Sequence, residues 1–297
     1  MATLRGVSPV VPTLFDEGEA VAFDAMERLI CRLIDGGVHA LTMFGIGSEY
    51  YKLSERERKQ ILDLLIRVVD GRVPTIVSIT AHSTKQACED AELAQKAGAS
   101  AIMILPPFFL KPDTDSILQH FDKVISCIDV PVVLQYAPNE TQLSLPGDTF
   151  LRLSERCKRE LYVKVECRPT GPLVSYLNKN GLNVLIGSGG ITFYENLERG
   201  AQGVMPGCSL YDVFLLIYEA HTNGDREESF RLQNTILPYL TFVDQNTEMF
   251  LASEKYFLKL RGLIEETNCR APRYELDSYQ KSMLEHYHRI LSPLLGE

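Results

Sequence analysis

The sequence predicts a closed (β/α)8 barrel, a TIM barrel, with a C-terminal helical extension, and three observations carry that fold class. One joint recurs at Gly36-Gly37-Val38-His39-Ala40-Leu41, Ala97-Gly98-Ala99-Ser100-Ala101-Ile102 and Arg199-Gly200-Ala201-Gln202-Gly203-Val204. Each is a helix closed by a glycine able to take the left-handed cap conformation, then small residues, then a buried strand. Short apolar segments fill the intervals, and most are near-continuously apolar, as strands of a parallel sheet covered on both faces are. Eight such units in about 220 residues suit a closed barrel, with an open doubly wound sheet as the second architecture.

In chain order the predicted strands lie near 7–11, 38–44, 74–79, 100–105, 131–136, 161–166, 183–187 and 203–206. Amphipathic helices alternate with them. The segment from Ser54 to Val69 places Ile61, Leu62, Leu65 and Val68 on one face, and Ser54-Glu55-Arg56-Glu57 opens it as a capping box. Residues 1–224 are read as the barrel. Residues 225–297 show helical periodicity only and are read as three helices packed on it, in one continuous domain without a Pro-, Gly- or Ser-rich linker.

The 297 residues are 45% hydrophobic and 23% charged, an ordinary globular composition. A net charge of −9 without a long basic run argues against nucleic acid or an anionic membrane as partner. No run approaches a membrane span, and the N-terminus lacks the apolar core of a signal peptide. Seven scattered cysteines with no Cys-x-x-Cys pair read as reduced thiols, so a cytoplasmic location is expected.

In such a barrel the active site lies at the C-terminal strand ends, and the unusual residues fall there. Gly45-Ile46-Gly47-Ser48-Glu49 follows the second strand, Pro106-Pro107-Phe108-Phe109 the fourth and Gln135-Tyr136-Ala137-Pro138 closes the fifth. Lys164 and Glu166 close the sixth, Gly187-Ser188-Gly189-Gly190 follows the seventh and Met205-Pro206-Gly207 ends the eighth.

Lys164 carries the most information. An ammonium inside a β-branched and aromatic strand costs several kcal/mol unless it is paired or discharged. Discharged, it is a nucleophile able to form a Schiff base with a carbonyl. Glu166, two residues on, shares its strand face. The alternative is a structural ion pair, with Arg168 also involved. The glycine-rich turn at 45–49 precedes a helix and can offer backbone N–H groups to a carboxylate or phosphate, or be a plain tight turn. Gly187–Gly190 admits the same pair of readings. His286 and His288 diverge on a helix and read as a solvated face, while His82 stands near the mouth. No metal-ligand spacing is visible, and no metal site is expected.

Together these residues resemble the Schiff-base aldolase family that includes dihydrodipicolinate synthase and N-acetylneuraminate lyase. The resemblance runs from about Gly6 to Leu263 and rests on Gly45–Glu49 with Lys52-Leu53-Ser54, Ala81-His82-Ser83, Pro106–Phe109, Lys164, Gly187–Gly190 and Arg199–Gly203. It implies a lyase in which Lys164 forms an imine with pyruvate or another 2-oxo acid, without metal or organic cofactor, usually as a tetramer. Implied substrate-binding residues are Gly45, Gly47, Ser48, Gln135, Ser188, Gly189 and Met205, with Tyr136 and Glu166 beside Lys164 as catalytic residues.

Four departures from the family pattern stand out. Ile46 and Gly47 replace hydroxyl residues of the glycine-rich loop, and Phe109 stands where many members have a second tyrosine. Gln135 occupies the register of the catalytic tyrosine, so Tyr136 replaces that tyrosine only if a bulge turns it inward. Glu140 stands where the synthase has an arginine for its aldehyde substrate's carboxylate. These favour the relatives that dehydrate or cleave 2-keto-3-deoxy sugar acids, with synthase-type aldol condensation as an alternative and a non-catalytic 2-oxo acid binding protein as a reading from another class.

Overall fold

A computed structural model gives the structure of the chain and describes residues 3–296. Eight parallel strands form one sheet: β1 (Gly6–Val7), β2 (Leu41–Met43), β3 (Thr75–Ile79), β4 (Ala101–Ile104), β5 (Val132–Tyr136), β6 (Leu161–Val165), β7 (Asn183–Ile186) and β8 (Gly203–Val204). The order β1-β8-β7-β6-β5-β4-β3-β2 becomes a ring through a parallel bridge between Val10 and Thr42. There Val11 N donates to Thr42 O at 2.8 Å, and Thr42 N donates to Pro9 O at 2.9 Å. The predicted barrel is therefore observed.

The first and last strands are shorter than their apolar runs. Pro9 and Pro206 lack the N–H that a regular ladder needs. The pairing nevertheless continues, with Ser8 N on Val204 O at 2.9 Å and Val10 N on Pro206 O at 2.8 Å.

Alternation along the strands builds two apolar compartments. Val10, Ile76, Met103, Val133, Tyr162, Leu185 and Met205 fill the barrel interior, while Val77, Ile102, Leu134, Val163 and Ile186 meet the surrounding helices. The predicted caps form. Gly37, Gly98 and Gly200 take φ of 86°, 113° and 91° at the three repeated joints. Ser54 Oγ accepts from Glu57 N at 3.3 Å while Glu57 Oε2 accepts from Ser54 N at 2.8 Å.

Beyond the barrel come the helices Arg226–Val243, Thr247–Leu260 and Ser278–Leu291. The middle one is tied into the strand ends by an ion pair with both side chains 0% exposed, Lys255 Nζ to Glu49 Oε1 at 2.6 Å. Breaking such a pair from one side leaves an uncompensated buried charge. Glu49→Leu alone, which leaves the buried Lys255 ammonium with the Asn268 carbonyl and no counter-ion, should therefore lower stability by about 3–5 kcal/mol, read as a fall in the urea unfolding midpoint. The double replacement Glu49→Leu with Lys255→Met should cost far less, because no lone charge remains.

Candidate active site

β6 points Tyr162 and Lys164 into the barrel and Val163 and Val165 into the helix layer. Glu166, the next inward position, lies beside the lysine: Lys164 Nζ is 3.0 Å from Glu166 Oε1, with side-chain exposures of 4% and 12%. Glu166 Oε2 accepts from Gln135 Nε2 at 2.6 Å, and Oε1 also accepts from Ser188 N at 3.2 Å. Gln135 Oε1 is buried without a hydrogen-bond partner. A Cβ on Gly187 would stand 2.2 Å from Glu166 Oε1, so glycine is required for the carboxylate to rest there. The turn continues through Ser188, Gly189 and Gly190 at φ of 47°, 60° and 80°, and the serine pays a left-handed cost of about 1–3 kcal/mol.

These groups bound a cavity of about 80 Å³ whose walls include Gly47, Lys164, Glu166, Ser188, Gly189 and Met205. Glu140 and Asp244 stand at its rim, and Phe250 and Glu254 reach it from the helix Thr247–Leu260. A roomier cavity of about 420 Å³ lies against Val77 and Ile79, on the helix side of the sheet and away from the lysine. The smaller cavity is the one that Lys164 and Glu166 line.

Carboxyls outnumber cations at this mouth, and the surroundings move three of them. Glu140 is exposed by area, yet enough protein surrounds its carboxyl for desolvation, with Glu166 and Asp244 adding repulsion, to push its pKa up to about 7. Burial also raises Asp244, against the lowering effect of Arg168. Glu254 is raised by burial and held by Ser209, whose N and Oγ donate to it at 2.6 and 2.7 Å.

The sequence-predicted residues Lys164, Glu166, Gln135, Gly47, Ser188, Gly189 and Met205 come together here. Tyr136 is a correction. The β5–β6 register runs unbroken from Val132–Leu161 to Tyr136–Val165, so no bulge turns the tyrosine inward. It packs edge-on against Phe150 at 5.4 Å and accepts from Leu145 N at 3.4 Å in the helix layer. Ser48 is a second correction: fully buried, it donates its hydroxyl to Val11 O at 2.7 Å and is not among the residues that line this cavity. Gly45 is not among the residues that line this cavity, although a Cβ on it would meet the wall residue Val10 at 3.0 Å. Arg168 pairs with Asp244 rather than with the Lys164–Glu166 pair. His82 packs edge-on against Phe108 at 4.9 Å.

Asp244, Phe250 and Glu254 were missed because the tail reads as ordinary helix. Its signal was Glu254-Lys255, two adjacent charges in a stretch where Leu251, Ala252, Phe257 and Leu258 are buried. Among the described residues no group of three or more His, Cys, Asp or Glu is placed to hold a metal ion, and no helix is long and apolar enough to cross a membrane.

Two outcomes follow from this geometry. Glu140 passes from neutral to anionic between about pH 6 and 8, so an anionic 2-oxo acid should half-saturate the site at higher concentration at pH 8, and Glu140→Gln should remove that rise. The folded state holds this proton more tightly than the unfolded chain at 4.5, so its contribution to stability is present below that value and lost as pH rises through about 7. Tyr136→Phe gives up one long hydrogen bond outside the cavity. It should cost about 1 kcal/mol or less in thermal unfolding and leave ligand capture at Lys164 intact.

Comparison with known proteins agrees with this architecture. Residues 3–291 match the dihydrodipicolinate synthetase family. A 4-hydroxy-tetrahydrodipicolinate synthase from Phocaeicola vulgatus is 28% identical over 88% of this chain and 89% of its own. An L-2-keto-3-deoxyarabonate dehydratase from Azospirillum brasilense is 28% identical over 98% and 96%. A solved dihydrodipicolinate synthase superposes with a TM-score of 0.91 at 27% identity, covering 97% of this chain and 99% of that one.

Proposed function

Because the chain belongs to the dihydrodipicolinate synthetase family, we propose that it is a lyase whose Lys164 forms a Schiff base with pyruvate or a 2-keto-3-deoxy sugar acid, catalysing dehydration or aldol cleavage. The observation that carries this reading is the buried lysine paired at 3.0 Å with a single carboxylate, at the inward end of β6 and on the wall of a cavity. Lys164 can pass a proton to Glu166 and attack the C2 carbonyl, whose oxygen leaves as water. Removal of a C3 proton then sends its electron pair toward the imine nitrogen, and dehydration follows when the C4 hydroxyl leaves with a proton as water.

Glu166 is the group assigned to that proton traffic, since Tyr136 faces the helix layer and Phe109 has no hydroxyl. Gly47 and Gly189, without side chains on the cavity wall, leave room for the substrate carboxylate. Gln135 Oε1, lacking a donor, suits a substrate hydroxyl. Glu140 at the rim disfavours synthase-type condensation with a second, carboxylated substrate. The barrel of residues 1–224 and the helices of residues 225–297 act as one domain, a reading supported by the Glu49–Lys255 pair and by Glu254 in the cavity wall. A cytoplasmic homo-oligomer, dimer or tetramer, is the assembly this reading includes; Phe109 and Leu110, 75% and 85% exposed beside the mouth, support it.

Borohydride reduction with pyruvate should leave a stable mass adduct on Lys164 that Lys164→Ala lacks; no adduct with any 2-oxo acid would sink the proposal. Glu166→Gln should keep the adduct while slowing turnover by about 10²–10⁴-fold. The outward Tyr136 keeps a non-catalytic binding protein as the second reading. It gains if pyruvate is captured but no 2-keto-3-deoxy acid turns over faster than with Lys164→Ala.

A further inference from the structure

Sites that enclose organic ligands commonly measure roughly 300–1,000 Å³. The cavity at Lys164, about 80 Å³, has room for the reacting 2-oxo acid end and little more. A second cavity of about 370 Å³ adjoins it and shares two of its wall residues, Ser188 and Asp244. Its other walls come from the segment after β6, with Arg168 and Thr170, from Thr192 after β7, and from Thr241 in the helix Arg226–Val243. The Arg168–Asp244 ion pair stands where the two spaces meet, with side-chain exposures of 59% and 24%.

We propose that this second cavity is the subsite for the distal part of the substrate, and that it selects 2-oxo acids of six or more carbons with an uncharged, hydroxylated tail. The proposal rests on the lyase reading of Lys164. Charge decides against an anionic tail. Glu166 and Asp244 line the cavity at Lys164, the Arg168 guanidinium is already engaged by Asp244, and Glu195 in the second cavity is held by Arg199 at 2.9 Å. A second carboxylate or a phosphate would meet carboxylates with no free cation to receive it. Thr192 and Thr241 bring hydroxyls to the wall, and each can donate and accept, as a sugar hydroxyl does. Thr170 offers less, because its hydroxyl donates to Cys167 O at 2.8 Å.

Borohydride capture at Lys164 reads binding whether or not turnover follows. The full chain is titrated with pyruvate, with five- and six-carbon 2-keto-3-deoxy acids ending in a hydroxyl, and with a six-carbon acid ending in a second carboxylate. The half-saturating concentration should fall about tenfold from the five- to the six-carbon hydroxyl acid, and the second carboxylate should cancel the gain. Thr241→Trp, at an exposed helix position, should fill the subsite and erase the chain-length difference. Equal capture of both lengths by the parent enzyme, preference for the terminal carboxylate, or an undiminished difference in Thr241→Trp would overturn the proposal. Should Thr241→Trp fail to fold, the parent titration decides alone. Absence of any adduct would instead remove the lyase reading beneath it.

Discussion

The buried pair between Glu49 and Lys255 is the constraint on which the mouth of this barrel depends. Neither side chain reaches solvent, and ions in that position cost several kcal/mol each unless their remaining hydrogen-bonding capacity is met. It is met on both sides. Glu49 Oε2 accepts from Lys52 Nζ at 3.1 Å and from Arg270 N at 3.2 Å, while Lys255 Nζ donates to Asn268 O at 2.8 Å and lies 4.7 Å from the centre of the Phe15 ring. Glu49 itself sits at φ 52°, a left-handed conformation that only an over-determined setting retains. One contact thus fixes the turn carrying Gly47 and the helix carrying Phe250 and Glu254, which face each other across the lysine cavity.

Electrostatics give this site its character. A 2-oxo acid brings a carboxylate, yet the cavity presents one lysine among Glu140, Glu166, Asp244 and Glu254. Such crowding is tolerable where protons are shared or partners supplied. Glu140 holds a proton near neutrality, Glu254 is bonded twice to Ser209, and Asp244 is covered by Arg168. Glu166 is the carboxylate next to the amine, and its contacts are distributed between Lys164, Gln135 and Ser188. A second anionic substrate is poorly served by this arrangement, whereas hydroxyl groups find both donors and acceptors.

Periodicity made the barrel legible, since apolar runs, glycine caps and the Ser54 capping box are all short-range signals. Lys164 and Glu166 were legible for the same reason, as two positions on one strand face. Facing at Tyr136 is not legible in the sequence, because it depends on whether β5 bulges, and only the pairing with β6 decides that. Ser48 looked like a ligand in a glycine-rich turn because its acceptor, Val11 O, lies 37 residues away in sequence. The Glu49–Lys255 contact spans 206 residues and leaves no local pattern beyond an odd pair of charges in a buried helix face.

In the proposed lyase, the arrangement around Glu166 puts one carboxyl in the place of the two tyrosines of the family pattern. A relay hydroxyl must be re-protonated by a second group after each transfer, and Phe109 cannot provide a hydroxyl for it. The Gln135 amide donates to Oε2 at 2.6 Å and marks that oxygen as an acceptor. Oε1, which accepts the longer bond from Ser188 N at 3.2 Å, is the oxygen beside Lys164 Nζ at 3.0 Å. In the proposed lyase the same oxygen would take the proton the amine gives up and return it to the departing carbonyl oxygen, then take the C3 proton and hand it to the departing C4 hydroxyl. Gln135 on β5 therefore does more than fill the register of the family's tyrosine, because it orients the carboxylate to which the proposed function assigns the proton chemistry.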